Sequence, residues 1–294
     1  MTKAFSLTDM VKTYPGFQLG PLSLELEPGT VLGFVGPNAS GKTTTFHCMM
    51  GTARADSGTI EIFGREANPA RPQWKQDVGY VGDLHAFYEG WTAEKNLAFR
   101  SQFYPAWSAS RAADLARRFG LPLDKKAREL STGNRVKLSL VAALAHSPGL
   151  LLLDEPTSGL DPVVRGEVLD ALFEVLEDGE RSIFYATHIL SDISRLADEI
   201  AFLRDGRIIQ RSRKEDLLDR WRRISFRSPR ADLPFEAVVA HQQEGLSHRV
   251  VSRDRQATLG RLAAAGAEAI EEARMTIDEI AVEILKGGED VANT

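Results

Sequence analysis

The sequence predicts an α/β fold. Its parts are a mixed sheet core with an antiparallel β subdomain, a helical subdomain, and a small α+β C-terminal domain. Three observations carry this. Val31-Leu32-Gly33-Phe34-Val35 and Leu150-Leu151-Leu152-Leu153 are short, wholly apolar runs, as expected of strands buried inside a parallel sheet. Segments with helical character, Thr43–Met50 and Pro162–Glu177, stand downstream of them. Residues 3–35 alternate apolar and polar and are punctuated by Pro15-Gly16 and Pro28-Gly29, which reads as antiparallel strands.

The remaining elements follow in chain order. Gly58–Gly64 is a short strand between glycines, and Val78–Val81 is another. Thr92–Tyr104 and Ser110–Phe119 read as helices interrupted at Pro105. Ser131 caps a helix running to about Ala145, with Val136, Leu140 and Leu144 on one face. Ser182–Thr187 is a strand. Glu199–Leu203 and Arg207–Gln210 flank Asp205-Gly206, a strong hairpin signal. Composition shifts near residue 212, where arginine becomes frequent. Beyond it lie three short candidate strands (Arg223–Phe226, Ala237–Ala240, His248–Val251) and helices, the last spanning Ile277–Lys286. The division expected is 1–211, with a helical subdomain at about 84–148, and an accessory domain at 212–294.

Composition excludes several classes. Net charge is −5, so no global basic signature points to nucleic acid. Cys48 is the only cysteine, which rules out an intrachain disulfide and fits a reducing compartment. The first ten residues do not read as a signal peptide. The longest apolar stretch, Leu138–Leu153, is broken by His146-Ser147-Pro148-Gly149, so no transmembrane helix is expected.

Chemistry concentrates in three places. Gly36-Pro37-Asn38-Ala39-Ser40-Gly41-Lys42-Thr43-Thr44 is a complete G-x-x-x-x-G-K-[ST] loop between a strand and a helix, the context this motif needs. Its backbone N–H groups can curl around phosphate oxygens, and the helix N-terminus adds partial positive charge. Lys42 would reach the β- and γ-phosphates, and the Thr43 hydroxyl would ligate Mg²⁺. The second place is Asp154-Glu155, two carboxylates ending an apolar strand at the edge where ligands of open α/β sheets bind. Asp154 would hold Mg²⁺ through water, and Glu155 would polarise an attacking water. The third is Leu130-Ser131-Thr132-Gly133-Asn134, which is either a plain helix N-cap or a second anion site.

Gly36–Thr44, Leu130–Asn134, Leu150–Glu155, Ser158-Gly159-Leu160-Asp161-Pro162 and Thr187-His188 occur in that order at plausible spacings. Over residues 1 to about 211 the chain resembles the nucleotide-binding ATPase subunit of an ABC transporter. The resemblance implies a P-loop NTPase of the ABC-ATPase fold, with ATP and Mg²⁺ bound. It implies that Ser131, Gly133 and Asn134 belong to a signature motif contacting the γ-phosphate held by an opposite subunit. Asp161 falls in the D-loop, and His188 is the switch histidine. Tyr14 stands where an aromatic residue stacks on adenine, or is simply a strand tyrosine. Phe103-Tyr104-Pro105-Ala106-Trp107, Leu121–Lys125 and His188–Asp192 narrow the resemblance to the YtrB-like group, which pairs with ABC-2-type membrane subunits and is assigned to export.

Two departures stand out. Thr132 and Asn134 replace the family's usual glycine and glutamine, and Asp83 stands where a glutamine usually touches Mg²⁺. Asp83 either ligates the ion itself or is a turn residue. The aromatic-rich stretch 87–107 supplies a candidate groove for the membrane subunit, with Phe87, Tyr88 and Trp91 favoured. The expected partners are a multi-span membrane permease and a head-to-tail second ATPase subunit, identical or paralogous. No nucleic acid is expected. The expected location is cytoplasmic, peripheral on the inner face of the membrane. The alternatives are an importer ATPase and a non-transport ATPase acting on nucleic acid or the ribosome. The Arg-rich entrance to the accessory domain is either a contact for acidic lipid or a solvated face.

Overall fold

Two long antiparallel strands open the chain, β1 (Phe5–Tyr14) and β2 (Phe17–Leu26), joined at Gly16, whose φ of 81° needs a residue without a Cβ. The computed structural model describes residues 2–82, 87–176, 181–229 and 237–287. Next come β3 (Val31–Val35) and α1 (Lys42–Met49). Then β4 (Ser57–Ile62) and β5 (Arg65–Glu66) complete an antiparallel sheet ordered β2-β1-β4-β5.

After β6 (Val78–Val81) the chain forms three helices: α2 (Ala93–Ser101), α3 (Ala109–Arg118) and α4 (Thr132–Leu144). Their first turns are capped as sequence chemistry dictates. Thr92, Ser108 and Ser131 each accept a backbone N–H three residues on. Helix α3 thus begins at Ala109, one residue before the expected Ser110.

Strand β7 (Leu150–Asp154), α5 (Pro162–Leu176), β8 (Ser182–Thr187), α6 (Leu190–Leu196), β9 (Glu199–Arg204) and β10 (Arg207–Arg213) complete the central sheet. Its order is β10-β9-β3-β8-β7-β6. All neighbours are parallel except the β9–β10 hairpin at Asp205-Gly206. β3 therefore joins this sheet and does not continue the antiparallel run of β1 and β2.

The wholly apolar strands have two buried faces, and strand alternation assigns each residue to one of them. Leu32, Phe34, Leu150, Leu152, Phe184 and Ala186 face the antiparallel sheet. Val31, Val35, Leu151, Leu153, Ile183 and Tyr185 face the helices. Phe184 holds the first layer together, with ring centroids 4.8 Å from Phe5, 5.1 Å from Phe34 and 4.9 Å from Phe46. Phe46 lies on α1, so this cluster anchors the helix that follows the glycine-rich loop.

The C-terminal region adds α7 (Lys214–Arg220), β11 (Arg222–Arg227), β12 (Val238–Glu244), β13 (Ser247–Ser252), α8 (Arg255–Ala264), β14 (Glu268–Arg274) and α9 (Ile277–Lys286). Its sheet is ordered β12-β13-β11-β14 and is antiparallel throughout. Sequence reading assigned no strand to β14. Its Glu268-Ala269-Ile270-Glu271-Glu272-Ala273-Arg274 favours helix locally, and pairing with β11 overrides that preference. The Arg-rich entrance is built into the fold by ion pairs: Arg211 with Glu199 (2.7 Å), Arg220 with Asp254 (3.4 Å) and Arg223 with Glu279 (3.0 Å). Arg222 is buried and donates to the Trp221 carbonyl at 2.7 Å. Met275, Ile277, Ile280 and Ala281 share one core with α6 and the central sheet.

Candidate functional site

Parallel register brings three strand ends level. Val35 of β3 stands opposite Thr187 of β8, and Ala186 opposite Asp154 of β7. The segments leaving these ends are Gly36–Gly41, His188 and Glu155, so residues far apart in sequence emerge at one carboxyl edge of the sheet.

The glycine-rich loop is held by backbone. A Cβ on Gly36 would lie 2.3 Å from the Leu203 carbonyl oxygen and 2.7 Å from Ser40 Oγ. Ala39 has φ 64° and Gly41 φ 110°. A Cβ on Gly41 would meet Leu19 Cδ1 at 2.7 Å. Pro37, Asn38 and Ala39 are exposed, Ser40 is buried, and Thr43 and Thr44 are half-buried in the first turn of α1. Lys42 is 5% exposed, and its ammonium donates to the Gly36 carbonyl (2.8 Å) and the Pro37 carbonyl (3.1 Å). It also pairs with Glu155 at 3.2 Å.

Sequence reading missed a buttress beneath this loop. Gly206 donates to the Ser40 carbonyl at 3.1 Å and accepts from the Gly20 N–H at 2.7 Å. Its φ is 74°, and a Cβ there would come within 2.0 Å of the Gln18 carbonyl oxygen. The Asp-Gly hairpin signal was visible, but its contact with the loop was not. Gly206→Ala should cost at least about 1 kcal/mol from the left-handed backbone alone. It should also weaken ATP binding. A denaturant midpoint and a nucleotide titration matching the parent would refute this.

Glu155 is 15% exposed and itself sits in the left-handed region, with φ 50°. Strain of this kind persists where surrounding structure over-determines it. Its backbone N–H donates to the Ala186 carbonyl at 2.9 Å. Its Oε2 accepts the His188 backbone N–H at 3.3 Å and lies 2.9 Å from His188 Nδ1. A carboxylate only accepts, so Nδ1 carries the hydrogen, and His188 Nε2 remains to face a ligand. His188 is 42% exposed. Lys42, Glu155 and His188 thus form one continuous chain of contacts. Asp154, one residue before Glu155, is fully buried.

A second network lies behind the first. Asp192 of α6 is fully buried. It accepts from Thr157 Oγ1, from Tyr185 OH (2.9 Å) and from Arg165 Nε (2.7 Å). Burial first, then the Asp192 charge, pushes the Tyr185 phenol well above its ordinary pKa, so it stays a donor. Thr157 follows Glu155 by two residues, and Asp192 follows His188 by four. The network therefore sets the paths of both segments leaving the sheet. No spacing rule reveals it, because its members come from β8, α5, α6 and a turn.

The other candidate residues lie elsewhere. Ser131 Oγ accepts the Asn134 N–H at 3.3 Å. A Cβ on Gly133 would strike Val164 Cγ1 of α5 at 2.4 Å. Helix α4 packs on α3, α5 and β6. β6 is three strands from β3, a separation of about 14 Å at ordinary spacing. The first turn of α4 stands against the first turn of α5, while β6 meets the other end of α4 near Ala143. Asp161 is exposed and caps α5, accepting from Val163 N (3.0 Å) and Val164 N (3.1 Å). Tyr14 is 41% exposed at the end of β1, opposite Phe17, whose ring is 3.1 Å from a Cβ placed on Gly41. That puts Tyr14 on the loop's rim. Asp83 lies outside the described residues.

The aromatic stretch forms a connected surface cluster. Ring centroids lie 4.3 Å apart for Tyr88–Trp91, 5.6 Å for Trp91–Phe99 and 5.2 Å for Phe99–Phe103. Tyr88 is 50% exposed and Phe103 58%, whereas Phe87 packs against the core. Phe103 therefore stands out where Phe87 was favoured. Glu89 joins this cluster to α4 through a two-pronged pair with Arg135, at 2.6 and 2.7 Å. The pairing holds the Glu89 carboxyl below its usual pKa.

The residues present suit a Mg²⁺-bound triphosphate. The loop leaves no room for a Cβ at Gly36, and Ser40 Oγ is buried with no hydrogen-bond partner among the described residues. Thr43 and Asp154 offer the hard oxygen donors that Mg²⁺ prefers.

Comparison with known proteins agrees with this geometry. A family model described as ABC transporter matches residues 19–158. The ABC transporter ATP-binding protein YtrB of Bacillus subtilis is 36% identical over 221 residues, covering 75% of this chain and 75% of that protein. Nod factor export ATP-binding protein I of Cupriavidus metallidurans is 32% identical over 203 residues, covering 67% of each. A solved ATP-binding subunit of an ABC transporter superposes with a TM-score of 0.67 at 25% identity, covering 74% of this chain and 92% of that one.

Proposed function

The chain belongs to the ABC transporter family of ATP-binding subunits, and from that premise we propose that it hydrolyses ATP in a head-to-tail pair to power export through separate membrane subunits. It is an ATPase subunit. The observation that carries the mechanism is the Lys42–Glu155–His188 chain at the level ends of β3, β8 and β7.

ATP binds with its phosphates in the Gly36–Thr44 loop and its adenine against Tyr14. Lys42 has three N–H donors, now shared among two loop carbonyls and Glu155. A γ-phosphate competes for the third, which frees Glu155 to orient and deprotonate the attacking water. His188, kept in one tautomer by Glu155, presents Nε2 to the γ-phosphate. Thr43 and Asp154 would hold Mg²⁺, which when bound neutralises triphosphate charge.

The second half of the site comes from another subunit. What supports this is that the Ser131–Asn134 segment packs on the first turn of α5, whereas the glycine-rich loop is joined to Glu155 and His188. Ser131, Gly133, Asn134 and Asp161 face the γ-phosphate of the opposite subunit. Closing then follows ATP binding, and opening follows hydrolysis.

No helix among the described residues is long and apolar enough to cross a membrane. Attachment to the inner membrane face through a multi-span permease is part of the same proposal. The permease docks at the Tyr88, Trp91 and Phe103 cluster, and the Glu89–Arg135 pair passes movement to α4. Residues 212–294 form an accessory domain to the ATPase domain 1–211. Export is supported by the likeness to a Nod factor export ATP-binding protein and by the YtrB-like pattern.

The test is co-expression with the permease, followed by ATPase assays with and without it. Stimulation by the permease is expected. Trp91→Ala with Phe103→Ala should weaken co-purification about tenfold or more while basal ATP turnover persists. Undiminished co-purification would move the docking surface elsewhere.

A further inference from the structure

The last helix of the chain ends beside the ATP site. Ile277, Ile280 and Ala281 of α9 are buried in one core with Ile193 and Leu196 of α6. Arg204, at the end of β9, donates to the Leu285 carbonyl at 2.7 Å. Its neighbour Leu203 supplies the carbonyl that backs Gly36. The final turn of α9 is thus clamped to the strand that supports the glycine-rich loop. There, Val282, Leu285 and Lys286 line one side of a cavity of about 470 Å³ whose other walls include Pro37, His188 and Leu190. Val282 remains 40% exposed, although the neighbouring turn of α9 is buried.

A second exposed valine marks the other half-site. Val163, in the first turn of α5, is 72% exposed. Its neighbour Val164 fills the space beside Gly133. Each half-site therefore carries an apolar side chain at its rim that its own chain leaves uncovered. In a head-to-tail pair the loop rim of one chain meets the Ser131–Asn134 rim of the other, and it does so twice.

We propose that the last turn of α9 is part of the closing surface, and that Val282 and Leu285 meet Val163 of the partner subunit, a second copy of this chain, when ATP draws the two together. This rests on the ATP-driven pairing argued above. It makes the C-terminal region a participant in the ATP cycle: α9 shares one cavity with Pro37 and His188 of its own chain and meets the α5 turn of the other. Two apolar contacts per pair then favour the closed state, and displacement of α9 weakens it.

The test uses the full chain carrying Cys48→Ala and Glu155→Gln, with ATP. Adding Val163→Cys and Val282→Cys together should give a disulfide-linked dimer on mild oxidation, dependent on ATP and absent with either cysteine alone. Without the new cysteines, Val282→Asp should raise the protein concentration needed for the ATP-bound dimer about tenfold, while ATP affinity of the single chain stays unchanged. If the Glu155→Gln parent dimerises with ATP, but no cross-link forms and Val282→Asp dimerises equally well, the α9 contact is wrong and the pairing stands. If that parent shows no ATP-dependent dimer, the pairing itself is wrong and this contact falls with it.

Discussion

Glu155→Gln should lower the rate of ATP hydrolysis at least about a hundredfold while ATP remains bound, and with ATP present the variant should collect as a dimer. Among the described residues Glu155 is the one carboxylate that touches both Lys42 and His188. Glutamine keeps its length and can still accept the His188 N–H, so the turn is preserved. What it loses is the ability to take a proton from water. Lys42 keeps its two loop carbonyls, so the phosphate cradle survives. Phosphate release and sedimentation with and without ATP would read both effects. Normal turnover in the variant would remove Glu155 from its role.

Asp192→Ala should be the most destabilising substitution near the site, by about 3–5 kcal/mol. The carboxylate is fully buried. Removing it strands a hydroxyl, a phenol and a guanidinium that were all donating to it. Arg165 is 25% exposed and partly screened, which moves the loss toward the lower end of that range. Asp192→Asn, which keeps the shape, should lose less stability yet still reduce kcat with little change in KM for ATP, because Thr157 and α6 set the positions of Glu155 and His188. Denaturant unfolding beside steady-state kinetics would separate the two. An alanine variant within 1 kcal/mol of the parent would show that the network does not bear on the fold.

Much of the site was legible because phosphate binding constrains backbone over a short run. Gly36–Thr44 has to form a loop between a strand and a helix, and each requirement leaves a residue type at a set position. Apolar strands such as Leu150–Leu153 were legible for a similar reason, since a strand buried on both faces has no polar face to show. The β14 strand was not legible. Its residues favour helix, and only the presence of β11 makes strand pairing the better outcome. The exposure of Phe103 was not legible either, because exposure depends on which neighbours fold over a side chain.

By itself the sequence determined the local chemistry: the phosphate loop, the two carboxylates at the end of β7, the capped α4 and the hairpin at Asp205-Gly206. It also sufficed to place the chain in its family. Only the tertiary structure decided that Lys42, Glu155 and His188 touch, that Gly206 supports the loop, that Asp192 gathers three donors, and that α9 ends in a cavity with Pro37 and His188. The physical reason is range. Loops, caps and turns are set by interactions between near neighbours, which composition and spacing record. Sheet register and helix packing join segments tens to more than a hundred positions apart, and no local pattern encodes which of them will meet.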